Sequence, residues 1–232
     1  MENNLLLERI KNVKNELDSA ILKTGRKLDE VKLMAVSKNA SINQMIDAKK
    51  AGLDLFGENY LNKSIEKLPV LFNDGFFDKQ NFHMIGHLQT NKVKKALSLF
   101  SCIESVDSLR LATEIASQVT DLQNPFPIML EVKTSVDESK FGFEESVLLE
   151  KLPELLLLRT IHINGLMTIA SLGGSCNETR RCFSKLRNLK EKIEHIFKIN
   201  IPILSMGMSE DFKIAIEEGS NLIRIGRAIF GG

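Results

Sequence analysis

Apolar residues recur at helical spacing over residues 3–24, where Leu6, Ile10, Val13, Leu17, Ile21 and Leu22 share a stripe between Glu and Lys. The pattern then changes. Short β-like apolar runs occupy 32–37, 54–57, 82–86, 102–106, 127–133, 163–167, 203–206 and 222–225, eight in all. Between them, helical periodicity predicts helices over 42–51, 59–68, 91–99, 108–122, 144–152, 178–196 and 210–218. Continuous rather than alternating apolar strands suit a parallel sheet covered on both faces. Such a rhythm fits a closed barrel or a doubly wound sheet. No Gly-x-Gly-x-x-Gly follows an early strand, which removes the main support for a dinucleotide-binding open sheet. The strand count therefore predicts an α/β fold, a (β/α)8 TIM barrel with an extra N-terminal helix. Stretches 72–80 and 170–177 read as short insertions. No linker interrupts the repeat, so residues 1–232 are expected to form one domain.

Composition narrows the functional classes. Apolar residues are 43% and charged residues 26%, ordinary for a globular protein. Lys and Arg number 31 against 30 Asp and Glu, so the surplus of positive charge that nucleic acid or an anionic membrane demands is missing. The cluster Lys92, Lys94 and Lys95 reads as a solvated helix face. Cys102, Cys176 and Cys182 lack metal-ligand spacing and read as free thiols of a reducing compartment. The N-terminus has no basic signal region, and no apolar run is long enough to cross a bilayer. A cytoplasmic protein without nucleic-acid or membrane partners is expected. Trp is absent and Tyr60 is the sole tyrosine, which limits any mechanism needing a catalytic tyrosine.

In a barrel the chemistry sits where strands end. Lys38 follows the first apolar run directly, and desolvation at a barrel mouth favours a neutral, nucleophilic amine able to form a Schiff base with an aldehyde. A solvated loop lysine reads the same from position alone. Gly207 and Ser209 open the segment after the seventh run, with Ser209 placed to cap a helix. Arg224, Gly226 and Arg227 accompany the eighth run. Loops seven and eight are where barrels most often hold phosphate, although a capped helix and a tight turn explain them equally. Beside Lys38, they point to a phosphorylated aldehyde cofactor. His83 and His87 are four residues apart but flank a strand end with no third ligand, so no metal site is expected.

Six segments spread from end to end then share a resemblance. They are Leu33–Lys38 (LMAVSK), Phe56–Tyr60 (FGENY), His83–Lys92 (HMIGHLQTNK), Gly165–Ile169 (GLMTI), Ser205–Ser209 (SMGMS) and Ile223–Gly231 (IRIGRAIFG). In order and without a large gap, they resemble the pyridoxal 5′-phosphate homeostasis proteins, which are similar to the N-terminal barrel of alanine racemase. The resemblance implies that Lys38 carries pyridoxal 5′-phosphate as a Schiff base. It also implies that Ser209 and the backbone around Gly226 and Arg227 hold the phosphate, and that Arg224 faces the pyridine nitrogen. Asn59, Met167 and Thr168 would line the pocket, and His87 would lie near its floor. Lys140, in Ser139–Gly142 (SKFG), matches a lysine at the mouth of relatives and is a candidate secondary cofactor site. Three places depart from the family pattern. Asn39-Ala40-Ser41 replaces Thr-Lys-Pro, Lys133 stands where Asn is common, and Arg227 where Thr is common.

Two functional classes compete. A homeostasis protein would hold the aldehyde and buffer it or deliver it to apo-enzymes, meeting them transiently. An amino-acid racemase would need an acid/base on each face of the substrate. Lys38 supplies one. In the racemase a tyrosine from a second domain of the partner subunit supplies the other, and this chain ends just after its eighth strand. Tyr60, after the second run, is not a convincing substitute. A guanidinium at the ring nitrogen also keeps the ring a poor electron sink. The expectation is a non-catalytic carrier and a monomer. A phosphate-ester isomerase on the same barrel survives only if Lys38 binds no cofactor.

Overall fold

The computed structural model describes residues 2–73, 75–135, 140–171 and 173–231. Eight parallel strands close into a barrel in chain order: β1 (Lys32–Val36), β2 (Leu55–Glu58), β3 (Phe82–Met84), β4 (Cys102–Val106), β5 (Phe126–Glu131), β6 (Ile161–Met167), β7 (Ile203–Ser205) and β8 (Leu222–Ile225). The seam joins first to last, with Lys32 opposite Leu222 and Met34 opposite Arg224. Alternation along the strands separates two cores. Met34, Cys102, Met129, Met167 and Leu222 point to the barrel axis. Ala35, Ile103, Ile128, Leu130, Leu166, Leu204, Ile223 and Ile225 face the surrounding helices.

Those helices are α1 (Glu2–Lys23), α2 (Ile42–Lys50), α3 (Leu61–Asn73), α4 (Val93–Leu99), α5 (Leu109–Gln118), α6 (Glu145–Leu156), α7 (Cys176–Phe197), α8 (Phe212–Glu217) and α9 (Arg227–Phe230). The additional helix α1 buries Leu6, Ile10, Val13, Leu17 and Ile21 and packs on α2, α8 and α9. Leu22 departs from the predicted stripe and is 62% exposed, because it lies next to Ile21 on the turning helix surface.

Two helices run past their predicted ends at 68 and 152, each through the proline that follows. α3 continues through Pro69 and α6 through Pro153. In each, apolar positions beyond the proline are buried, Leu71 in α3 and Leu155 in α6. Packing there outweighs the intrinsic penalty. Side-chain caps account for other boundaries. Ser41 accepts from the Gln44 N–H and starts α2, which gives the departing Asn39-Ala40-Ser41 segment a structural role. Ser175 accepts from the Glu178 N–H and starts α7 at Cys176, two residues before the predicted 178. No helix among the described residues is long and apolar enough to cross a membrane.

Candidate functional site

Lys38 stands two residues beyond β1, half-buried, and its amine has no hydrogen-bond or ion-pair partner among the described residues. Its backbone is held from below. The Ser37 hydroxyl donates to Glu58 Oε1 at 2.6 Å, Lys67 Nζ donates to the same oxygen at 2.6 Å, and Lys67 also reaches the Ser37 carbonyl at 2.9 Å. Glu58 is fully buried, and its Oε2 has no partner among the described residues. Next to it, Asn59 keeps a buried Oδ1 that no described group satisfies. An acceptor left over in this way is a place for a ligand donor.

Arg224 projects from β8 into the barrel, almost fully buried. Nη1 donates to Ser205 Oγ at 2.6 Å and Nη2 to the Thr168 carbonyl at 2.8 Å. Thr168, beyond β6, is fixed by bonds of its hydroxyl to the Val132 carbonyl and the Thr134 hydroxyl, at 2.8 and 2.9 Å. Met167 is buried on the barrel axis beside Met34 and Met129. Burial lowers the Arg224 pKa, while Glu104, Glu131 and Asp211 oppose the shift. A guanidinium starts high enough to stay charged.

The two final loops are tied together. The Arg224 N–H donates to the Gly207 carbonyl at 3.0 Å, and Ser209 Oγ accepts from the Ala228 N–H at 3.4 Å. Ser209 was expected to cap α8, but that cap position belongs to Asp211. The hydroxyl of Ser209 turns instead toward the start of α9, capped by Gly226. The loops after β7 and β8 thus gather Ser209, Gly226 and Arg227. A Cβ on Gly226 would lie 3.3 Å from the Val36 carbonyl, so glycine lets this turn lie close to β1. The Arg227 guanidinium pairs with Glu210 at 2.7 Å on the surface.

His87 and Lys140 belong to a neighbouring region. His87 is 39% exposed, pairs with Asp107 at 3.2 Å and stacks on Phe141 at 3.8 Å, so it stands on the rim rather than the floor. Lys140 donates to the carbonyls of Ile169 and Ala170 at 3.1 and 2.6 Å. Both line a cavity of about 860 Å³ with Lys133 and Arg110. Lys133 itself pairs with Glu144 at 3.4 Å. Ser139 lies outside the described residues. His83 faces the other end of the barrel and pairs with Glu104, so the two histidines share no ligand position.

Sequence reasoning missed the buried charges. Glu58, Glu104 and Glu131 all sit within or at the end of strands, and a carboxylate inside an apolar run was the available signal. Burial lifts the Glu131 carboxyl to about 7, assisted by Asp107 and opposed by Arg224 and Lys140. Between its ordinary 4.5 and about 7 the folded chain keeps a proton that the unfolded chain releases. Stability from this group is therefore lost as pH rises through that window. Glu131→Gln is expected to remove the loss and to be more stable than the parent at pH 8 by at most about 3 kcal/mol. Thermal melts from pH 4 to 8 check this; parallel curves for the two proteins would contradict it.

Residues 14–232 match the family model described as alanine racemase, N-terminal domain. The chain is 37% identical over 202 residues to a pyridoxal phosphate homeostasis protein of Synechocystis, spanning 87% of this chain and 91% of that one. It is 34% identical over 224 residues to the protein of the same name from Aquifex aeolicus, spanning 97% and 96%. The solved structure of PipY from Synechococcus elongatus with PLP bound is similar at a TM-score of 0.84 and 32% identity, covering 97% of this chain and all of that one.

Proposed function

The chain belongs to the pyridoxal phosphate homeostasis proteins of the alanine racemase N-terminal domain family, and on that premise we propose that it binds pyridoxal 5′-phosphate through Lys38. The observation that carries this reading is the meeting at one barrel mouth of an amine without a partner among the described residues, a buried guanidinium and a glycine turn. The Lys38 amine adds to the aldehyde carbon, a C=N bond forms and water leaves. Ser209 and the backbone of Gly226 and Arg227 hold the phosphate. Arg224 donates to the ring nitrogen, and Asn59, Met167 and Thr168 line the walls. His87 and Lys140 serve the adjoining cavity, where Lys140 offers a secondary capture site.

The reading is of a carrier that buffers the reactive aldehyde and passes it to apo-enzymes in the cytoplasm, as a monomer. A permanently charged guanidinium keeps the ring nitrogen unprotonated and the ring a weak electron sink, which disfavours carbanion chemistry. Tyr60, the sole tyrosine, is 50% exposed at the start of α3 with Lys63 over its ring, poorly suited to be a second base. PipY, similar over its whole length, binds PLP, and the relatives carry a homeostasis name. Borohydride reduction of protein incubated with the cofactor, followed by peptide mass spectrometry, is expected to find the adduct on Lys38. An adduct confined to other lysines would overturn the assignment. Racemisation of an amino acid that depends on Lys38 would replace the carrier with an enzyme.

A further inference from the structure

A continuous line of buried hydrogen bonds runs through the barrel to Arg224. His83 Nδ1, on β3, lies 2.7 Å from Glu104 Oε1 on β4. The Ser205 hydroxyl, on β7, donates to Glu104 Oε2 at 2.5 Å and accepts from Arg224 Nη1. Glu104 and Ser205 are fully buried. His83 opens on the amino-terminal mouth of the barrel, opposite the cofactor end.

The order of donors is forced. Burial alone would raise the Glu104 pKa. The hydrogen bond and charge of His83, the charge of Arg224 and the Ser205 hydroxyl outweigh it, so the carboxyl lies below its ordinary value and is ionised. An ionised carboxylate only accepts, so Ser205 must give it its single hydroxyl proton. The Ser205 oxygen is then left with lone pairs alone toward Arg224. With Nη1 held by Ser205 and Nη2 by the Thr168 carbonyl, the planar guanidinium is pinned at two points. Its remaining N–H groups are fixed in direction. An uncharged group at 104 would free the hydroxyl rotor and remove a buried counter-charge from Arg224.

We propose that Glu104 is a positioning residue for recognition of the cofactor's ring nitrogen, acting through the Ser205 hydroxyl on Arg224, with His83 closing the line. This rests on the reading that Arg224 meets the pyridine nitrogen. The two are separated by loading the parent, Arg224→Gln, Glu104→Gln and Ser205→Ala with pyridoxal 5′-phosphate isotope-labelled at the ring nitrogen. The nitrogen resonance and the retention of cofactor on dilution are then measured. Arg224→Gln is expected to move the resonance away from its position in the parent. Glu104→Gln and Ser205→Ala should move it part of the way and weaken retention roughly tenfold, the worth of one charge-assisted hydrogen bond. A purely structural role for Glu104 would lower the melting temperature and leave the resonance in place.

If Arg224→Gln leaves the resonance unchanged, the ring-nitrogen reading falls and the proposal with it. If Arg224→Gln moves it while both other variants keep the parent's resonance, the proposal alone is overturned. Should Glu104→Gln fail to fold, Ser205→Ala decides, since it interrupts the line with the carboxylate left in place.

Discussion

Replacing Lys38 with alanine is expected to remove most of the visible absorbance band that forms when the protein is incubated with pyridoxal 5′-phosphate, leaving only a weak band from Lys140. The band requires a C=N bond to a lysine, and Lys38 follows β1, which pairs directly with β8, the strand that carries Arg224. The fold should not suffer. Lys38 is half-buried and has no partner among the described residues, so its removal orphans no buried charge among them. A change in stability within about 0.5 kcal/mol is expected. Absorbance titration beside a thermal melt checks both parts. A residual band is expected to disappear in the Lys38→Ala, Lys140→Ala double variant. A full-strength band in that variant would remove the basis for the Lys38 site.

Gly86→Ala is the substitution with the largest expected cost to the fold. A Cβ at this position would lie 2.1 Å from the Asn59 carbonyl oxygen and 2.7 Å from its carbonyl carbon and Cα. These are backbone atoms, so no rotamer change relieves the overlap. Nor can either segment slip. The Gly86 carbonyl accepts from Ser105 Oγ at 2.6 Å, and the Ile85 N–H donates to the Glu58 carbonyl at 3.0 Å. A loss of about 3 kcal/mol or more is expected, with weakened cofactor retention because Asn59 must move. Gly25→Ala provides the contrast. Its φ of +74° is left-handed but nothing lies within 4 Å of a new Cβ, so only the backbone cost of about 1 kcal/mol applies. Denaturant midpoints distinguish the two; equal losses would contradict the steric argument.

The barrel was legible because each strand is a short apolar run between amphipathic segments, a pattern carried by neighbours in sequence. The continuation of α3 and α6 through Pro69 and Pro153 was not, because local preference there yields to burial of Leu71 and Leu155 supplied by the rest of the fold. The same division runs through the candidate site. Asking which polar residue meets the end of each strand singles out Lys38, Asn59, Thr168 and Arg224, and the structure places all four at strand ends. The Glu104–Ser205 contact spans 101 positions and has no local signature beyond one carboxylate in an apolar run. Ser209 was assigned to the right loop but the wrong partner, since its hydroxyl bonds across to Ala228 rather than along its own segment. The histidine pair at 83 and 87 resolved into two separate carboxylate pairs, Glu104 and Asp107.

Pairing of β1 with β8 brings together residues at opposite ends of the chain, Met34 beside Arg224. These are among the most non-local contacts in the molecule, and such contacts are slow to form because the intervening loop must first be closed. Lys38 lies on one side of this seam and Arg224 on the other. A partly made chain, still lacking its last strand, can present the lysine but not the guanidinium or the Gly226 turn. A ligand spanning both sides therefore selects molecules whose barrel has closed, and by mass action draws the folding equilibrium toward them. If the cofactor binds as proposed, its loading is a checkpoint on completed folding: only a finished barrel would take up the aldehyde with full affinity.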